Sequence, residues 1–437
     1  MTKRLMLGRH RRGRAAVAAA ASLALFVTGC AGTASVAPST APGGSGPQAS
    51  SAAGDPVKLG VLTPLSKPGD PGSGQLFIRG ADLAAEWIDQ RVEPDAWDAS
   101  CALPGKLELV KVDDAGTPEK GVAGLRKLAL DDHVAMTVGQ IHSAVMLALG
   151  PIAEDLKLPI MAATASNTDI SKAHLTYTFQ AHAITSDRAK AVGDFIEANA
   201  AKFQKIAIVA ENTDYGIGNV TDLKARLGSV AGLTLQDWVF DKDSKDLSPL
   251  LLQVKSFDPD LVFNVSSGPT EYLMVKQAKD AGLLDTSAMV ISDDRPLRQE
   301  FWDNVGDSGK NIVFVTYYAP KQKLTAAGEW FKAEYQKRHN EAPVYTAYQG
   351  FGNTILAAQA INKACSVDGA AIAGALVSEK LISWNAADVS FVQGDGVDWQ
   401  RLHIPVLLLQ YTAAPQKVEE ATIVFPADLK TGDVITP

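Results

Sequence analysis

The fold is decided by residues 57–88, where VKLGVL (57–62) is followed after a loop by GADLAAEWI (80–88). The first segment is a short apolar run typical of a buried strand, and the second has apolar residues at helical spacing. The alternation predicts further strands at 107–112, 134–138, 158–161, 205–209, 234–239, 261–265, 289–291 and 312–315. It predicts helices between them, and a long helical region at 326–339, 348–364 and 370–377. Strands that alternate with helices form parallel sheets covered on both faces, so we expect an α/β fold.

Nine predicted strands are more than one open sheet comfortably holds, so the sequence favours two α/β lobes, each a doubly wound parallel sheet. The helical region after about residue 317 is expected to return to the first lobe and not to form a third domain.

Composition places the chain among ordinary globular proteins and argues against nucleic-acid binding. Its 437 residues are 46% hydrophobic and 21% charged, with a mean hydropathy of +0.01. The formal net charge is −8, and six of the 41 basic residues precede residue 30, so the remainder is more acidic still. An acidic body has no net attraction for phosphate backbones, so we expect no nucleic-acid partner.

The N-terminus has the features of an export signal with a lipid attachment site. Six basic residues precede an apolar, uncharged stretch at 15–27, which is too short to cross a bilayer. Val27-Thr28-Gly29-Cys30 then resembles the bacterial lipobox, which predicts a signal peptide at 1–29 and a lipid on Cys30. The alternative is an ordinary secretory signal in which Cys30 is incidental. Residues 30–55 are almost entirely Ala, Ser, Gly, Pro and Thr and predict a flexible tether, which would hold the body at the outer face of the cell membrane.

Two further cysteines, Cys101 and Cys365, lie in the part of the chain that would be exported. Disulfides persist outside the cytoplasm, so we expect the two residues to pair. A disulfide that closes so long a loop stabilises the folded state by roughly 4 to 5 kcal/mol in the chain-entropy model. Two unrelated buried thiols are the alternative.

A search for catalytic and metal-binding patterns finds none that is convincing. The sequence contains no G-x-S-x-G, H-E-x-x-H, C-x-x-C or G-x-x-x-x-G-K-[ST] motif. Its seven histidines include no pair at ligand spacing on one helical face, so no metal or other cofactor is expected. His142 alone is a candidate for ligand contact, because it follows the strand at 134–138. A surface or loop-stabilising role is its alternative.

Six stretches, in order, resemble the type I periplasmic solute-binding proteins of the leucine/isoleucine/valine-binding family, which serve ABC importers. They are VKLGVLTPLSKPGD with RGADLAAEWI, VKVDDAGTPEKGVAGLRKLALDD, VGQIHSAVMLALGPIAEDLKLPIMAATAS, IAIVAENTDYGIG, DLVFNVSSG with KQAKDAGL, and WFKAEYQKRHNEAPVYTAYQGFGNTILAAQAI. The resemblance covers roughly residues 57–411. It implies a monomeric binding protein, not an enzyme, that captures a small polar solute, such as an amino acid or a derivative, and delivers it to an ABC permease and ATPase complex.

The resemblance also implies two lobes joined by a three-crossing hinge that closes on the ligand. Lobe I would comprise residues 56–182 and 317–402, and lobe II residues 183–316 and 403–437. Ser143 would bind the α-carboxylate of the ligand at the start of a helix, assisted by the turn that contains Ala162 and Thr164. Tyr215 would close over the ligand, and Asp294 would pair with its ammonium group.

The chain departs from the family pattern at two places. The family commonly has glycines beside the acid, whereas Asp294 lies between Asp293 and Arg295. Arg295 would either neutralise Asp294 or bind an anionic ligand itself. Ser73 stands where amino-acid binders often carry an aromatic ring, so an amide, a urea-like solute or an anion is an alternative ligand. A sensor subunit on the same fold is an alternative to import, and an exported enzyme is opposed by the missing catalytic groups.

Overall fold

A computed structural model describes residues 56–319 and 321–437 of the chain. The predicted signal peptide, Cys30 and the tether lie outside the described residues. Within the described ranges, no single helix is both long enough and apolar enough to cross a membrane. Two successive helices, Tyr345–Ala364 and Gly369–Ser378, reach the required length and hydropathy only when they are taken together, and the chain bends by 105° between them.

The strands of the described chain form two seven-stranded sheets. In chain order they are β1 (Val57–Thr63), β2 (Leu107–Asp113), β3 (Met136–Gln140), β4 (Ile160–Ala162), β5 (Thr178–Gln180), β6 (Lys205–Glu211), β7 (Thr234–Phe240), β8 (Leu261–Val265), β9 (Ala288–Ile291), β10 (Val313–Thr316), β11 (Val392–Gln393), β12 (Trp399–Arg401), β13 (Leu407–Gln410) and β14 (Thr422–Phe425).

Helices alternate with the strands as far as β10, and the last three helices then follow one another without a strand between them. They are α1 (Pro71–Asp89), α2 (Pro118–Leu130), α3 (Ser143–Leu156), α4 (Asp169–Lys172), α5 (Thr185–Ala198), α6 (Asp214–Leu227), α7 (Ser248–Phe257), α8 (Pro269–Asp280), α9 (Phe301–Val305), α10 (Ala326–His339), α11 (Tyr345–Ala364) and α12 (Gly369–Ser378).

The first sheet has the strand order β11-β12-β5-β4-β3-β1-β2 and forms the first lobe. The six strands from β12 to β2 are parallel, and only the edge pair β11–β12 is antiparallel. Strands β3, β4 and β5 are buried along their whole length. Such continuous burial is expected for a parallel sheet that has helices on both faces.

The second sheet has the order β14-β13-β10-β9-β8-β6-β7 and forms the second lobe. Its five strands from β10 to β7 are parallel, and β13 and β14 extend the sheet in antiparallel pairing. The predicted class of two parallel α/β lobes is therefore confirmed, with an antiparallel edge on each sheet that the sequence pattern did not indicate.

The chain passes between the two lobes three times. The first passage lies between β5 and β6, the second follows β10, and the third lies between β12 and β13. Helix α11 packs along α1 in the first lobe, so part of the helical region after β10 lies against that lobe.

Helix α1 begins at Pro71, nine residues before the predicted start at residue 80. The Asp70 side chain accepts a hydrogen bond from Ser73 N, and a proline at the first helical position needs no hydrogen-bond partner. Two of the glycines that make residues 71–80 look like a loop, Gly74 and Gly80, serve close packing instead: a Cβ on Gly80 would lie 2.0 Å from the Ala347 carbonyl oxygen of α11.

Cys101 and Cys365 are joined in the structure, with their Cα atoms 5.6 Å apart. Cys101 lies in the loop before β2, and Cys365 directly follows the last residue of α11. The bond thus ties the C-terminal helices of the first lobe to its N-terminal half, across 264 residues of sequence.

Candidate functional site

A cavity of about 220 Å³ lies between the two lobes. The segments that line it follow the carboxyl ends of strands in both sheets, which is where open α/β sheets bind ligands. Seven residues singled out from the sequence line this cavity: Ser73, His142, Ser143, Thr164, Tyr215, Asp294 and Arg295.

Ser143 is the first residue of α3 and exposes only 3% of its surface. Its Oγ accepts hydrogen bonds from the backbone N–H groups of Ser166 and Asn167, both at 3.2 Å. The hydroxyl hydrogen therefore remains for donation into the cavity. The first N–H groups of a helix have no partner within it, so this end of α3 also favours an acceptor or an anion.

Thr164 lines the cavity, whereas Ala162 does not. Ala162 is a fully buried residue of β4, and its carbonyl oxygen accepts hydrogen bonds from the first lobe itself. The backbone N–H groups of Ala163, Thr164 and Ala165 all point to the Gln140 carbonyl oxygen, at 2.9 to 3.3 Å. These amides are therefore occupied, and the Thr164 hydroxyl is the group of this turn that remains for a ligand.

Tyr215 reaches the cavity from the first turn of α6 in the second lobe. Its hydroxyl lies 2.7 Å from Ser292 Oγ, just after β9, which fixes the direction of the ring. The guanidinium carbon of Arg188 lies 5.4 Å from the centre of that ring. Tyr215 is thus an aromatic wall of the second lobe with a cation against it.

Asp294 is a buried carboxyl group without a partner for its Oδ2 atom among the described residues. Burial, reinforced by the negative charge of Asp293, raises the pKa of Asp294 to about 7. Burial and the same neighbour raise the pKa of Glu271, whose two carboxyl oxygens also lack partners. This corner of the second lobe therefore favours a cationic group, which would compensate an otherwise unpaired acid.

Arg295 contacts Asp70 in the other lobe, with Nη2 and Oδ2 2.8 Å apart, and has no contact of this kind with Asp294. Both side chains are largely buried. Burial alone would raise the pKa of Asp70, but Arg295 and Arg298 outweigh it and hold that pKa well below its ordinary value. The pair is therefore charged at neutral pH, and Arg295 is not a free anion-binding group.

Ser73 and His142 both line the cavity, Ser73 with its hydroxyl already occupied and His142 with a buried Nδ1 atom that has no partner among the described residues. Ser73 Oγ donates to Asp70 and accepts a 2.7 Å hydrogen bond from Arg298 Nη2, a second contact between the lobes. Burial lowers the pKa of His142 to about 4, so its ring is neutral at pH 7.

The sequence analysis did not single out Arg188 and Tyr317, both of which are buried and line the cavity. Arg188 lies in α5, at the first passage between the lobes, and Tyr317 follows β10, at the second. Arg188 donates to the Tyr317 hydroxyl from Nε and Nη2, at 3.2 and 2.6 Å. No local motif marks either position, because the two residues are 129 positions apart in the sequence.

Among the described residues, no cluster of three or more His, Cys, Asp or Glu side chains has an arrangement that could hold a metal ion.

Comparison with known proteins matches residues 56–397 to the model of a family described as periplasmic binding protein. The Leu/Ile/Val-binding protein BraC3 of Rhizobium johnstonii is 26% identical over 260 residues, which is 59% of this chain and 66% of that protein. A leucine-binding protein from Thermotoga maritima superposes with a TM-score of 0.71 at 19% identity, over 84% of this chain and 97% of that one. A solute-binding protein from Rhodopseudomonas palustris, in complex with 3,4-dihydroxybenzoic acid, superposes with a TM-score of 0.66 at 20% identity, over 81% and 92% of the two chains.

Proposed function

This chain belongs to the periplasmic binding protein family and is thus a solute-binding protein and not an enzyme, and we propose that it is the substrate-binding subunit of an ABC importer for an amino acid or amino-acid derivative. The ligand would lie between the lobes and be released to a permease and ATPase complex. The relative from Rhizobium johnstonii, whose name states that it binds Leu, Ile and Val, supports this class of ligand.

The observation that carries the proposal is a pair of opposite binding groups that face one cavity from different lobes. Ser143 and the start of α3 present unoccupied donors, and Asp294 presents an unpaired buried carboxyl oxygen. The first group suits a carboxylate, and the second suits an ammonium group. A zwitterion satisfies both at once, whereas a plain carboxylic acid leaves Asp294 unpaired.

A thermal-shift screen of the full chain tests this proposal. Each amino acid is paired with two analogues of the same carbon skeleton, one without the amino group and one without the carboxylate. A ligand at a hundred times its Kd stabilises the folded state by about 2.7 kcal/mol, so a zwitterion that binds raises the melting temperature. Equal shifts from the analogues without an amino group would overturn the proposed role of Asp294, and a screen without any amino-acid hit would overturn the ligand class.

We also propose that the chain is exported and held at the outer face of the cell membrane by a lipid on Cys30, as a monomer. The lipobox-like residues 27–30 and the polar tether after them support the export and the lipid anchor. Cys30→Ser should move the protein from the membrane fraction to the soluble exported fraction. Retention of the variant in the membrane would contradict the anchor.

Import is the part of the proposal that needs a cellular measurement. Cells without this chain should lose uptake of the solute that the screen identifies, and the wild-type chain should restore it. Unchanged uptake would favour a sensor.

A further inference from the structure

Arg188 is a buried cation that faces the ligand cavity without a carboxylate partner. It exposes 1% of its surface, and no Asp or Glu oxygen of the described chain lies within 4.0 Å of its nitrogens. The buried Arg295 contacts Asp70, and the buried Arg401 contacts Asp187 and Asp398. Arg188 therefore differs from both of these arginines in the absence of an acid within 4.0 Å, which it shares with the buried Arg298, whose Nη2 donates to Ser73 Oγ.

The hydrogen bonds of Arg188 leave donors that point to no acceptor. The guanidinium carries five N–H groups, of which two go to the Tyr317 hydroxyl and one goes to Asn219 Oδ1 at 2.9 Å. Tyr317 accepts both of its bonds from Arg188, and no described residue accepts the hydrogen of its own hydroxyl. Two N–H groups and one O–H group are thus available at one place in the cavity wall.

A charge in this position is costly unless something compensates it. Burial of an ionised group away from water costs several kcal/mol, and neutral acceptors such as Tyr317 and Asn219 offset only a part of this. Asp293 is close enough to act on this charge, but it lies beyond 4.0 Å and its Oδ1 accepts from Arg295 N. The arrangement is therefore electrostatically incomplete without an anion.

The aromatic residues around Arg188 hold its guanidinium in place. The centres of the Tyr215 and Tyr317 rings lie 5.4 and 5.9 Å from its Cζ. His182 packs against Tyr317 with ring centres 4.3 Å apart, and burial and Arg188 hold its pKa well below its ordinary value. The neutral imidazole adds no competing charge. The surrounding rings thus hold the guanidinium donors of Arg188 in place before a ligand enters.

We propose that Arg188 and the Tyr317 hydroxyl bind an anionic group of the ligand, in addition to the carboxylate that Ser143 binds. This inference rests on the proposed function. Arg188 lies on α5, which packs against α6 of the second lobe, whereas Ser143 opens α3 of the first. With Asp294 taking the ammonium group, the ligand has two anionic groups and one cationic group. Its chemical class is an acidic amino acid.

Calorimetry with two matched ligand pairs tests the inference on the full chain. Glutamate and glutamine, and aspartate and asparagine, differ in charge but hardly in size. We expect the acidic member of one pair to bind at least tenfold more tightly than its amide. Equal binding of acid and amide in both pairs, or tighter binding of both amides, would overturn the inference.

Two variants assign the effect to the proposed residues. Arg188→Gln should weaken binding of the acidic ligand at least tenfold and leave binding of the amide unchanged or improved. Tyr317→Phe removes a single hydroxyl and should reduce the same preference if Arg188→Gln does not fold. Tyr345→Phe is the matched control, because Tyr345 lines the same cavity but its hydroxyl contacts Gln349 and His182, so this variant should keep the preference. Equal loss of acid and amide in Arg188→Gln, or equal effects of the two tyrosine variants, would overturn the assignment.

Glutarate, which is glutamate without the amino group, separates this inference from the proposed function. If glutarate binds as tightly as glutamate and Arg188→Gln abolishes both, the inference is supported and the ammonium-binding role fails. If neutral amino acids bind and acidic ones do not, the proposed function is supported and the inference fails. If none of these compounds binds, both are overturned.

Discussion

Arg295 and Asp70 form an ion pair of 2.8 Å across the ligand cavity, between the loop after β9 and the residue that caps α1. The hydrogen bond from Arg298 to Ser73 lies beside it, so two contacts join the same segments. A cavity between two lobes is enclosed only while the lobes are close. The ion pair thus links the charges of Asp70 and Arg295 to how closely the two lobes approach each other.

Asp70→Asn should favour a more open arrangement of the lobes. Asn keeps the cap of α1 but leaves Arg295 buried without its carboxylate, which costs about 3 to 5 kcal/mol when one partner of a buried pair is lost. We expect a larger radius of gyration by small-angle X-ray scattering. Asp82→Asn, which removes an exposed 2.6 Å pair with Lys111, is the control and should change stability by less than about 1 kcal/mol. Identical scattering from the two variants would contradict the link.

Asp294 should make the ligand-free protein less stable as the pH rises from about 4 to 7. Its pKa is raised to about 7 in the folded state, so the folded state binds more protons than the unfolded state in this window. Asp294→Asn should therefore flatten the decrease in the free energy of unfolding, measured by urea denaturation at several pH values. His142, whose pKa is lowered to about 4, acts in the opposite direction but is present in both proteins. An equal change of the free energy of unfolding with pH in the wild-type chain and in Asp294→Asn would show that Asp294 is not the buried acid described here.

Ser143→Ala and Thr164→Val should differ in their effect on stability. Ser143 Oγ satisfies two buried amides, so its loss should lower the free energy of unfolding by about 1 to 3 kcal/mol and also weaken ligand binding. The Thr164 hydroxyl has no hydrogen bond within the described residues, so Thr164→Val should weaken binding by about 0.5 to 1.5 kcal/mol at nearly unchanged stability. Unchanged binding in the double variant, measured by calorimetry, would refute both binding roles.

Loss of the bond between Cys101 and Cys365 should destabilise the chain by about 2 to 5 kcal/mol. Cys101→Ser should lower the midpoint of chemical denaturation and add one titratable thiol, that of Cys365, relative to the wild-type chain. An equal thiol count and an equal midpoint would show that the two cysteines are not paired in solution.

The sequence predicted nine of the fourteen described strands and missed most of the shortest ones. The nine predicted strands correspond to β1–β4 and β6–β10, each followed by the helix or loop expected of a parallel sheet. Strands β5, β11 and β12 have two or three residues, too few to show a period of two. Strands β13 and β14 pair only after the third passage between the lobes, and nothing near them in sequence indicates that pairing.

Some of the residues that line the cavity could be found from the sequence, and others could not. Ser143, Thr164, Tyr215 and Asp294 come soon after strands, and the ends of parallel strands meet at one edge of a sheet. Arg188 lies inside a helix, and its hydrogen-bond partner Tyr317 is distant in sequence. The partner of Arg295 is likewise 225 residues away, so local reasoning left its role open between Asp294 and a ligand.

A crystal structure of the chain with the solute that gives the largest thermal shift tests the central claim most directly. The account predicts density for that solute between the lobes, with an anionic group at Ser143 and the start of α3 and a cationic group at Asp294. Density outside this cavity, or a solute in it that contacts neither Ser143 nor Asp294, would contradict the account.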